Sequence, residues 1–317
     1  MSLHHFFLDE QILACESKPE FILRLDADDL KHARVLRLRA GEHIAVVDAD
    51  SDYFECEIVS FGAVGGAGST SITAGLGDSD ASAKKALGAC SEKYEMRVRI
   101  SGHPAFELSS AQVFLAQGLA KGSKFEDVVR HATEIGVAGF IPLKCARSVM
   151  RLDGRQTEKK LTRWRAIAKS AAMQSGQLRV PNICSPMNVL EFAGSASDFD
   201  CVCVCWEEAQ QTCCFADALS GVKGSIQKND TLKSTVQERD AVNATRQDGD
   251  TSQSAKKVAV VVGPEGGLTT DEVEAILASN ENAHLVSLGR SILRTETAGV
   301  LAPALAMYEL GELGGKL

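Results

Sequence analysis

The stretch Val258–Ile276, VAVVVGPEGGLTTDEVEAI, joins an apolar run to an amphipathic helix pattern through a glycine-rich corner. A short, unbroken apolar run is typical of a strand buried on both faces of a parallel sheet. The glycines of the corner let a ligand approach the main chain, and the amides that begin the helix add hydrogen-bond donors. Either Thr269 or Thr270 can cap that helix. The stretch predicts a strand, a ligand-binding corner and a helix, with a plain tight turn as the alternative.

A second corner of the same design follows at residues 287–300, SLGRSILRTETAGV. Its strand ends at Gly289, and its turn carries Arg290, Arg294 and Glu296 before a helix begins. We expect these two strands to be adjacent, so that their ends form one cleft at the carboxyl edge of a sheet, where open α/β sheets bind ligands. The first corner fits neither the G-x-G-x-x-G fingerprint nor the P-loop, which argues against dinucleotide and ATP sites.

The periodicity divides the chain into two predicted domains. Residues 1–106 contain short alternating strands and predict a small β-rich domain, whereas in residues 107–317 strands alternate with helices and predict an α/β domain with a mainly parallel sheet. Ser123 and Glu126 have the spacing of a capping box, and a long helix is expected to end at Gly176. Two polar stretches poor in large apolar residues, 62–90 and 219–257, are interpreted as flexible insertions.

The composition of the chain bears on its cellular location and on whether it binds a metal. The chain has 317 residues and ten cysteines, and neither a span-length apolar run nor a secretion signal is visible, so we expect a cytoplasmic protein with reduced thiols. Cys201, Cys203 and Cys205 alternate with valine and would place three thiols on one face of a strand. Small apolar packing is favoured over a zinc site, because no C-x-x-C pair or histidine cluster accompanies them, and no metal is expected.

Basic residues are clustered although the net charge is -8. That charge argues against a protein that coats nucleic acid indiscriminately, but local clusters can still contact phosphates. Arg34, Arg37 and Arg39 alternate along a segment interpreted as strand-like, so they are candidates for RNA binding, with a solvated polar face as the alternative. Arg147 and Arg151 are weaker candidates in a second basic cluster.

The two corners, VVGPEGGLTTDEVEAI and VSLGRSILRTETAGVLA, resemble the paired C-terminal motifs of the bacterial 16S ribosomal RNA uridine-N3 methyltransferase family, members of the SPOUT (α/β trefoil-knot) superfamily. HARVLRLRAGEHIAVVD with FECEI is similar to the PUA-like β-barrel that begins members of this family. The resemblance covers nearly the whole chain except the two polar stretches. It implies a PUA-like barrel followed by a trefoil-knotted α/β methyltransferase domain that works as a homodimer, with the closing helix and the knot forming the interface.

The resemblance also implies a cofactor and a reaction. S-adenosylmethionine would lie in the cleft between two walls, one made of Gly263, Pro264, Glu265, Gly266 and Gly267, the other of Leu288, Gly289, Ile292, Leu293 and Arg294. Its methyl group would pass to N3 of a uridine in 16S ribosomal RNA of the small subunit. Arg294 would stabilise charge on the uracil oxygens, with a salt bridge to Glu296 as the alternative. Glu265 or Glu296 would be the base, and the alternative for either is to orient an arginine or to cap a helix.

Two rival functions remain open from the sequence. One is a SPOUT enzyme that methylates another target, such as a tRNA ribose 2'-oxygen, and the other is a catalytically silent RNA-binding or ribosome assembly protein. A silent protein would be expected to have lost a glycine corner, and both corners are intact.

Overall fold

The computed structural model describes residues 3–12, 20–63, 94–104, 106, 109–226 and 255–314. The chain forms two compact units, Met1–Ala105 and Phe106–Leu317. Residues 64–90 and 227–254 of the two polar stretches lie outside the described residues, so that part of the insertion prediction stays a prediction.

The first unit is built on a five-stranded sheet in the order β1-β3-β4-β5-β2, which confirms the predicted small β-rich fold. The strands are β1 His4–Phe7, β2 Glu20–Leu23, β3 His43–Val47, β4 Tyr53–Ala63 and β5 Tyr94–Gly102. β1 and β3 run parallel, and the other neighbours are antiparallel. The pairings of the described residues do not join β1 to β2, so closure into a barrel stays a prediction.

A helix, α1 Ala27–Val35, occupies the segment that carries Arg34, and the strand-like interpretation of residues 31–39 is wrong. The helix begins after Asp26, whose carboxylate accepts a 2.7 Å hydrogen bond from the backbone N–H of Asp29. Such N-caps favour helix over strand regardless of the alternation downstream. Arg37 follows the helix with a φ of 57°, in the left-handed region.

The second unit contains a sheet of seven parallel strands, which confirms the predicted α/β fold. Six strands follow the order β12-β10-β11-β6-β7-β8, and β9 also pairs with β7. The strands are β6 Ala111–Gly118, β7 Gly139–Lys144, β8 Asn182–Ile183, β9 Met187–Asn188, β10 Cys201–Cys205, β11 Lys256–Val262 and β12 Ala283–Val286. We expected the two corner strands, β11 and β12, to be adjacent. That expectation is wrong, because β10 lies between them.

Helices cover both faces of this sheet. They are α2 Lys124–Glu134, α3 Gly154–Ser175, α4 Val189–Ser195, α5 Phe215–Ala218, α6 Thr270–Ser279 and α7 Thr295–Leu310, with a 3-10 turn at Ala196–Asp198. Thr269 caps α6 in a capping box with Glu272, and Gly176 ends α3 with a φ of 72°, both as predicted. The predicted box at Ser123 is wrong, because buried Glu126 pairs instead with Lys160 at 2.9 Å and Arg163 at 2.7 Å.

Both faces of β10 and β11 are buried. Cys201 and Cys203 face the core that contains α2, α3 and α7, whereas Val202 and Val204 face the core that contains α4 and α6. Burying one such valine contributes roughly 1.5–3 kcal/mol. Cys201 and Cys203 are 1% and 0% exposed, with their sulfurs 3.9 Å apart, which confirms the prediction of small apolar packing.

The predicted insertion at 219–257 is wrong at both of its ends. Residues 220–226 are helical, Leu219 and Val222 are buried in the core, and β11 begins at Lys256. Leu219, Val222 and Ile226 have the spacing of one apolar face of a helix. The prediction missed this face, because three apolar residues barely change the mean polarity of the whole segment. In the first polar stretch, Gly62 and Ala63 likewise belong to β4.

Candidate functional site

A cavity of about 480 Å³ lies at the carboxyl edge of the seven-stranded sheet, where β10, β11 and β12 end. This volume lies within the range of sites for small ligands. Both predicted corners line it, and the lining includes most of the predicted cofactor residues, namely Gly263, Pro264, Glu265, Leu288, Gly289, Ile292, Leu293 and Arg294. Because parallel strands present their carboxyl ends to one edge, loops far apart in sequence meet here.

Gly266 and Gly267, also predicted to bind the cofactor, are not among the residues that line the cavity. Both glycines permit close packing of neighbouring residues, and their predicted role in cofactor binding stays a prediction. A Cβ on Gly266 would lie 2.9 Å from Cβ of Arg147, and a Cβ on Gly267 would collide with Glu207 Oε1, at a φ of 70° that already disfavours other residues. The absence of side chains at Gly266 and Gly267 thus makes room for Arg147 and Glu207.

Gly118, at the end of β6, lies directly against the first corner. A Cβ added to it would overlap the backbone nitrogen of Pro264. Gly289 in the second corner is different, because a Cβ there would meet nothing within 4 Å although its φ is 103°. The first corner is thus fixed by packing, while the second borders open space in the cavity.

Gln117 and Thr295 connect the two corners through hydrogen bonds. Thr295 Oγ1 donates to the Gly263 carbonyl oxygen at 2.6 Å, and Gln117 Nε2 donates to Thr295 Oγ1 at 2.9 Å. Both residues are buried. Sequence reasoning missed this network, although a glutamine that directly follows the apolar run of a strand is a signal of a buried polar role.

Lys124, the first residue of α2, connects two predicted catalytic carboxylates. Its Nζ lies 3.0 Å from Glu265 Oε1 and 3.5 Å from Glu296 Oε2. The same Glu265 oxygen accepts a 3.0 Å bond from the backbone N–H of Lys121. Hydrogen bonding to Glu265 raises the pKa of Lys124. Burial raises the pKa of Glu265, but hydrogen bonds from its own backbone, Lys124 and Lys121 outweigh burial and hold that pKa below its ordinary value.

Arg294 and Glu296 do not form the salt bridge that was the alternative to a catalytic arginine. Within the described residues, Glu296 has its ion pair with Lys124, and Arg294 has none. Arg294 is exposed, precedes α7 and lines the cavity. Oε2 of Glu296 is buried without a hydrogen bond among the described residues. The site therefore presents an unpaired guanidinium and a partly satisfied carboxylate to the same cavity.

A third loop, after β10, also lines the cavity and was missed by the sequence. It contributes Trp206, Glu207, Ala209 and Thr212, together with Cys205 at the end of the strand. The indole N–H of Trp206 donates a 3.2 Å bond to the Leu268 carbonyl oxygen, which fixes the loop against the first corner. This loop reaches the site because β10 lies between β11 and β12.

The predicted RNA-binding arginines have different surroundings. In the first unit, Arg34, Arg37 and Arg39 are exposed, and the Arg34 guanidinium lies 4.3 Å from the centre of the Tyr94 ring. In the second unit, Arg147 donates to Glu208 Oε1 at 2.7 Å and to the Gly266 carbonyl oxygen at 3.2 Å, and the bond to Glu208 raises its pKa. Arg151 is exposed. Arg147 thus already has a structural role beside the first corner.

Two kinds of feature are absent from the described residues, a cluster of metal ligands and a membrane-spanning helix. These residues contain no group of three or more histidine, cysteine, aspartate or glutamate residues that could hold a metal ion. None of the helices over this part of the chain is long and apolar enough to cross a membrane.

Comparison with known proteins places two matches on the chain. The family described as RNA methyltransferase domain matches residues 107–307, and the RNA methyltransferase PUA domain matches residues 25–62. The ribosomal RNA small subunit methyltransferase E of Bacillus subtilis is 33% identical over 64% of this chain and 68% of that protein. The protein of the same name from Mycobacterium bovis is 30% identical over 60% of each chain.

One solved structure shares the fold of this chain over nearly the whole length of both proteins. It is a ribosomal RNA small subunit methyltransferase E from Neisseria gonorrhoeae bound to S-adenosyl methionine, with a TM-score of 0.63 and 20% identity, and the match covers 97% of this chain and 98% of that one.

Proposed function

Because this chain belongs to the RNA methyltransferase family, whose domain matches residues 107–307, we propose that it methylates N3 of a uridine in 16S ribosomal RNA with S-adenosylmethionine as the methyl donor. Two relatives, 33% and 30% identical, are ribosomal RNA small subunit methyltransferases, which supports a substrate in the small subunit. The trefoil-knotted path of the C-terminal strands and the cytoplasmic location belong to the same proposal.

One observation carries this proposal: both glycine corners open into one cavity at the carboxyl edge of the parallel sheet. The residues present fit S-adenosylmethionine. Leu288, Ile292 and Leu293 offer apolar surface, and open space at Gly289 admits a ligand next to the main chain. When bound, S-adenosylmethionine supplies a methyl group activated by the positive charge on its sulfur.

The chain's own residues would prepare the uracil. N3 carries an imide proton, and its removal spreads negative charge onto the two ring oxygens. We assign the acceptor of that proton to Glu296, because its side chain lines the cavity and is 26% exposed, which leaves the oxygen other than buried Oε2 for the substrate base. Glu265 is less suitable, because two donors already bind its Oε1 and its pKa is lowered. Arg294, unpaired within the described part of the chain, would donate to the uracil oxygens.

The first unit would bind the RNA backbone. Arg34, Arg37 and Arg39 are exposed, and Arg34 adjoins a groove that also contains Arg24, Lys31 and Tyr94. Cationic side chains position a nucleic acid by its phosphates without reading its bases.

We also propose that the protein works as a homodimer through α7. Leu301 and Tyr308 on this helix are 37% and 64% exposed, and a spacing of seven residues places them on one face. Light scattering tests this directly: the wild type should have the mass of a dimer, and a Leu301→Asp, Tyr308→Asp double variant the mass of a monomer.

The reaction is tested by single-turnover methylation of small ribosomal subunits from cells that lack the endogenous enzyme, with nucleoside mass analysis of the 16S RNA. The expected product is 3-methyluridine. A 2'-O-methylated nucleoside would favour the ribose enzyme instead. Absence of any methylated product from a protein that binds S-adenosylmethionine would favour the silent RNA-binding protein.

A further inference from the structure

Lys124 is the residue through which the start of α2 meets both corners of the cavity. Its ammonium lies 3.0 Å from Glu265 Oε1 and 3.5 Å from Glu296 Oε2. Glu265 belongs to the corner after β11, and Glu296 to the first turn of α7. One cation therefore connects three segments that are distant in sequence.

The two carboxylates are held in different ways. Glu265 Oε1 accepts bonds from Lys121 N–H and from Lys124 Nζ, so its position is fixed by two donors. Glu296 Oε2 is buried and has no hydrogen bond among the described residues, and its ion pair there is with Lys124. Glu265 is thus an anchor for the ammonium, whereas the placement of Glu296 depends on that ammonium.

We propose that Lys124 is a positioning residue that holds the Glu296 carboxylate at the cavity wall, with Oε2 turned toward the ammonium and the other oxygen left for the proton of the substrate base. This inference rests on the proposed function and adds a residue to it. Burial of Oε2 supports it, because the 26% exposure of the Glu296 side chain must then belong to its other atoms.

The charges around Glu296 make Lys124 the relevant partner. Arg290 and Arg294 line the same cavity, but within the described residues neither forms an ion pair with Glu296. Glu207 and Glu265 line it as well and would repel a second carboxylate. Without the ammonium of Lys124, Glu296 would face these two negative groups with no cation at ion-pair distance.

The rival interpretation is that Lys124 only ties α2 to the first corner. In that case, removal of the Lys124 ammonium would disturb the cofactor wall at Glu265 and lower S-adenosylmethionine affinity. The resulting decrease in methylation rate would add to the decrease caused by substitution of Glu296. A positioning role predicts a loss of rate without a loss of cofactor affinity, and no further loss once Glu296 is already removed.

The test compares Lys124→Met, Lys124→Arg, Glu296→Gln and the double variant Lys124→Met, Glu296→Gln in single-turnover methylation and in calorimetry with S-adenosylmethionine. Lys256→Met is the matched control. This substitution breaks a 2.8 Å ion pair with Asp200 at the opposite edge of the same sheet. The side chains of Lys256 and Asp200 are 33% and 34% exposed, which is similar to the 36% and 26% of Lys124 and Glu296.

We expect Lys124→Met to slow methylation between about tenfold and a hundredfold, a range typical of a misplaced reacting group, while S-adenosylmethionine affinity changes less than about threefold. Lys124→Arg should recover most of the rate, and the double variant should be no slower than Glu296→Gln alone. In a crystal structure of Lys124→Met, the Glu296 carboxylate should have left its place on the cavity wall.

The inference is overturned if the losses at Lys124 and Glu296 multiply, if cofactor affinity falls together with the rate, or if Lys256→Met has the same effect. Failure of the proposed function looks different, because the wild-type protein itself would then yield no 3-methyluridine. The crystal structure and the calorimetry remain informative in that case, since neither depends on turnover.

Discussion

Thr295 Oγ1 donates a 2.6 Å hydrogen bond to the Gly263 carbonyl oxygen, and this bond joins the residue that begins α7 to the residue that follows β11. The same hydroxyl accepts from buried Gln117 Nε2. The two corners of the cavity are therefore held at a fixed separation from inside the protein.

Thr295→Val should loosen this connection. The variant keeps the shape of the side chain but leaves Gln117 Nε2 without its shortest bond, which costs about 1–3 kcal/mol for a buried polar group. Urea unfolding should show this loss, and S-adenosylmethionine affinity should fall with it. Thr162→Val is the control, because that hydroxyl bonds the Glu158 carbonyl oxygen on an exposed helix face. Equal stability of the two variants would contradict the role of Thr295.

Gly118→Ala should displace the first corner. The added methyl would overlap the backbone at Pro264, which cannot rotate away, and overpacking of this kind costs about 1–3 kcal/mol or more. We expect a lower melting temperature and weaker S-adenosylmethionine binding by calorimetry. Gly194→Ala in α4 is the control, since its methyl would meet nothing within 4 Å and alanine favours helix.

Arg294→Ala should reduce the methylation rate much more than the affinity for the ribosomal subunit. A donor aimed at charge that develops on the uracil acts mainly in the transition state, and its removal costs on the order of a hundredfold or more. Arg130→Ala on α2 controls for the loss of an exposed arginine, one that pairs with Asp127. A near-normal single-turnover rate in the Arg294 variant would rule out the role assigned to it.

Arg34→Ala combined with Arg37→Ala should weaken RNA binding and flatten its dependence on salt. If each arginine contacts one phosphate of unpaired RNA, the slope of log affinity against log salt should fall by about 1.4. S-adenosylmethionine affinity should not change. Arg97→Ala with Arg99→Ala is the matched control in the same unit, because these arginines already pair with Glu95, Glu20 and Glu57. If both double variants changed RNA affinity and its salt dependence equally, the assignment of Arg34 and Arg37 as phosphate contacts would be contradicted.

Buried thiols should make the protein sensitive to alkali. Burial raises the pKa of Cys56, Cys145 and Cys205 from an ordinary 9.0 to about 12. Their contribution to stability is therefore complete below pH 9 and is lost as the pH rises through 12, since the unfolded thiol ionises first. Unfolding free energies should decline over that interval.

Burial should protect two of these thiols, Cys56 and Cys145, from alkylation. At pH 8, peptide mass analysis should find exposed Cys214 labelled well before Cys56 and Cys145, and urea should make all three react. Rapid labelling of Cys56 or Cys145 in the folded protein would contradict their burial.

Local signals in the chain identified most elements of the second unit. The apolar run before Gly263, the capping threonine at 269 and the glycine at 176 act through neighbours only a few residues away, so the sequence is sufficient to place them. The predicted capping box at Ser123 failed for the opposite reason. Glu126 has the right spacing, but two cations on α3, distant in sequence, bind it more strongly.

The sequence by itself determined the α/β class, the parallel sheet and the two corners, because these depend on periodicity and on glycine. Only the tertiary structure decided that β10 lies between β11 and β12, that Trp206 and Glu207 therefore reach the cavity, and that Glu296 pairs with Lys124 rather than with Arg294. Strand order and ion pairing between distant segments depend on how whole elements pack, and the spacing of residues along the chain carries no record of that packing.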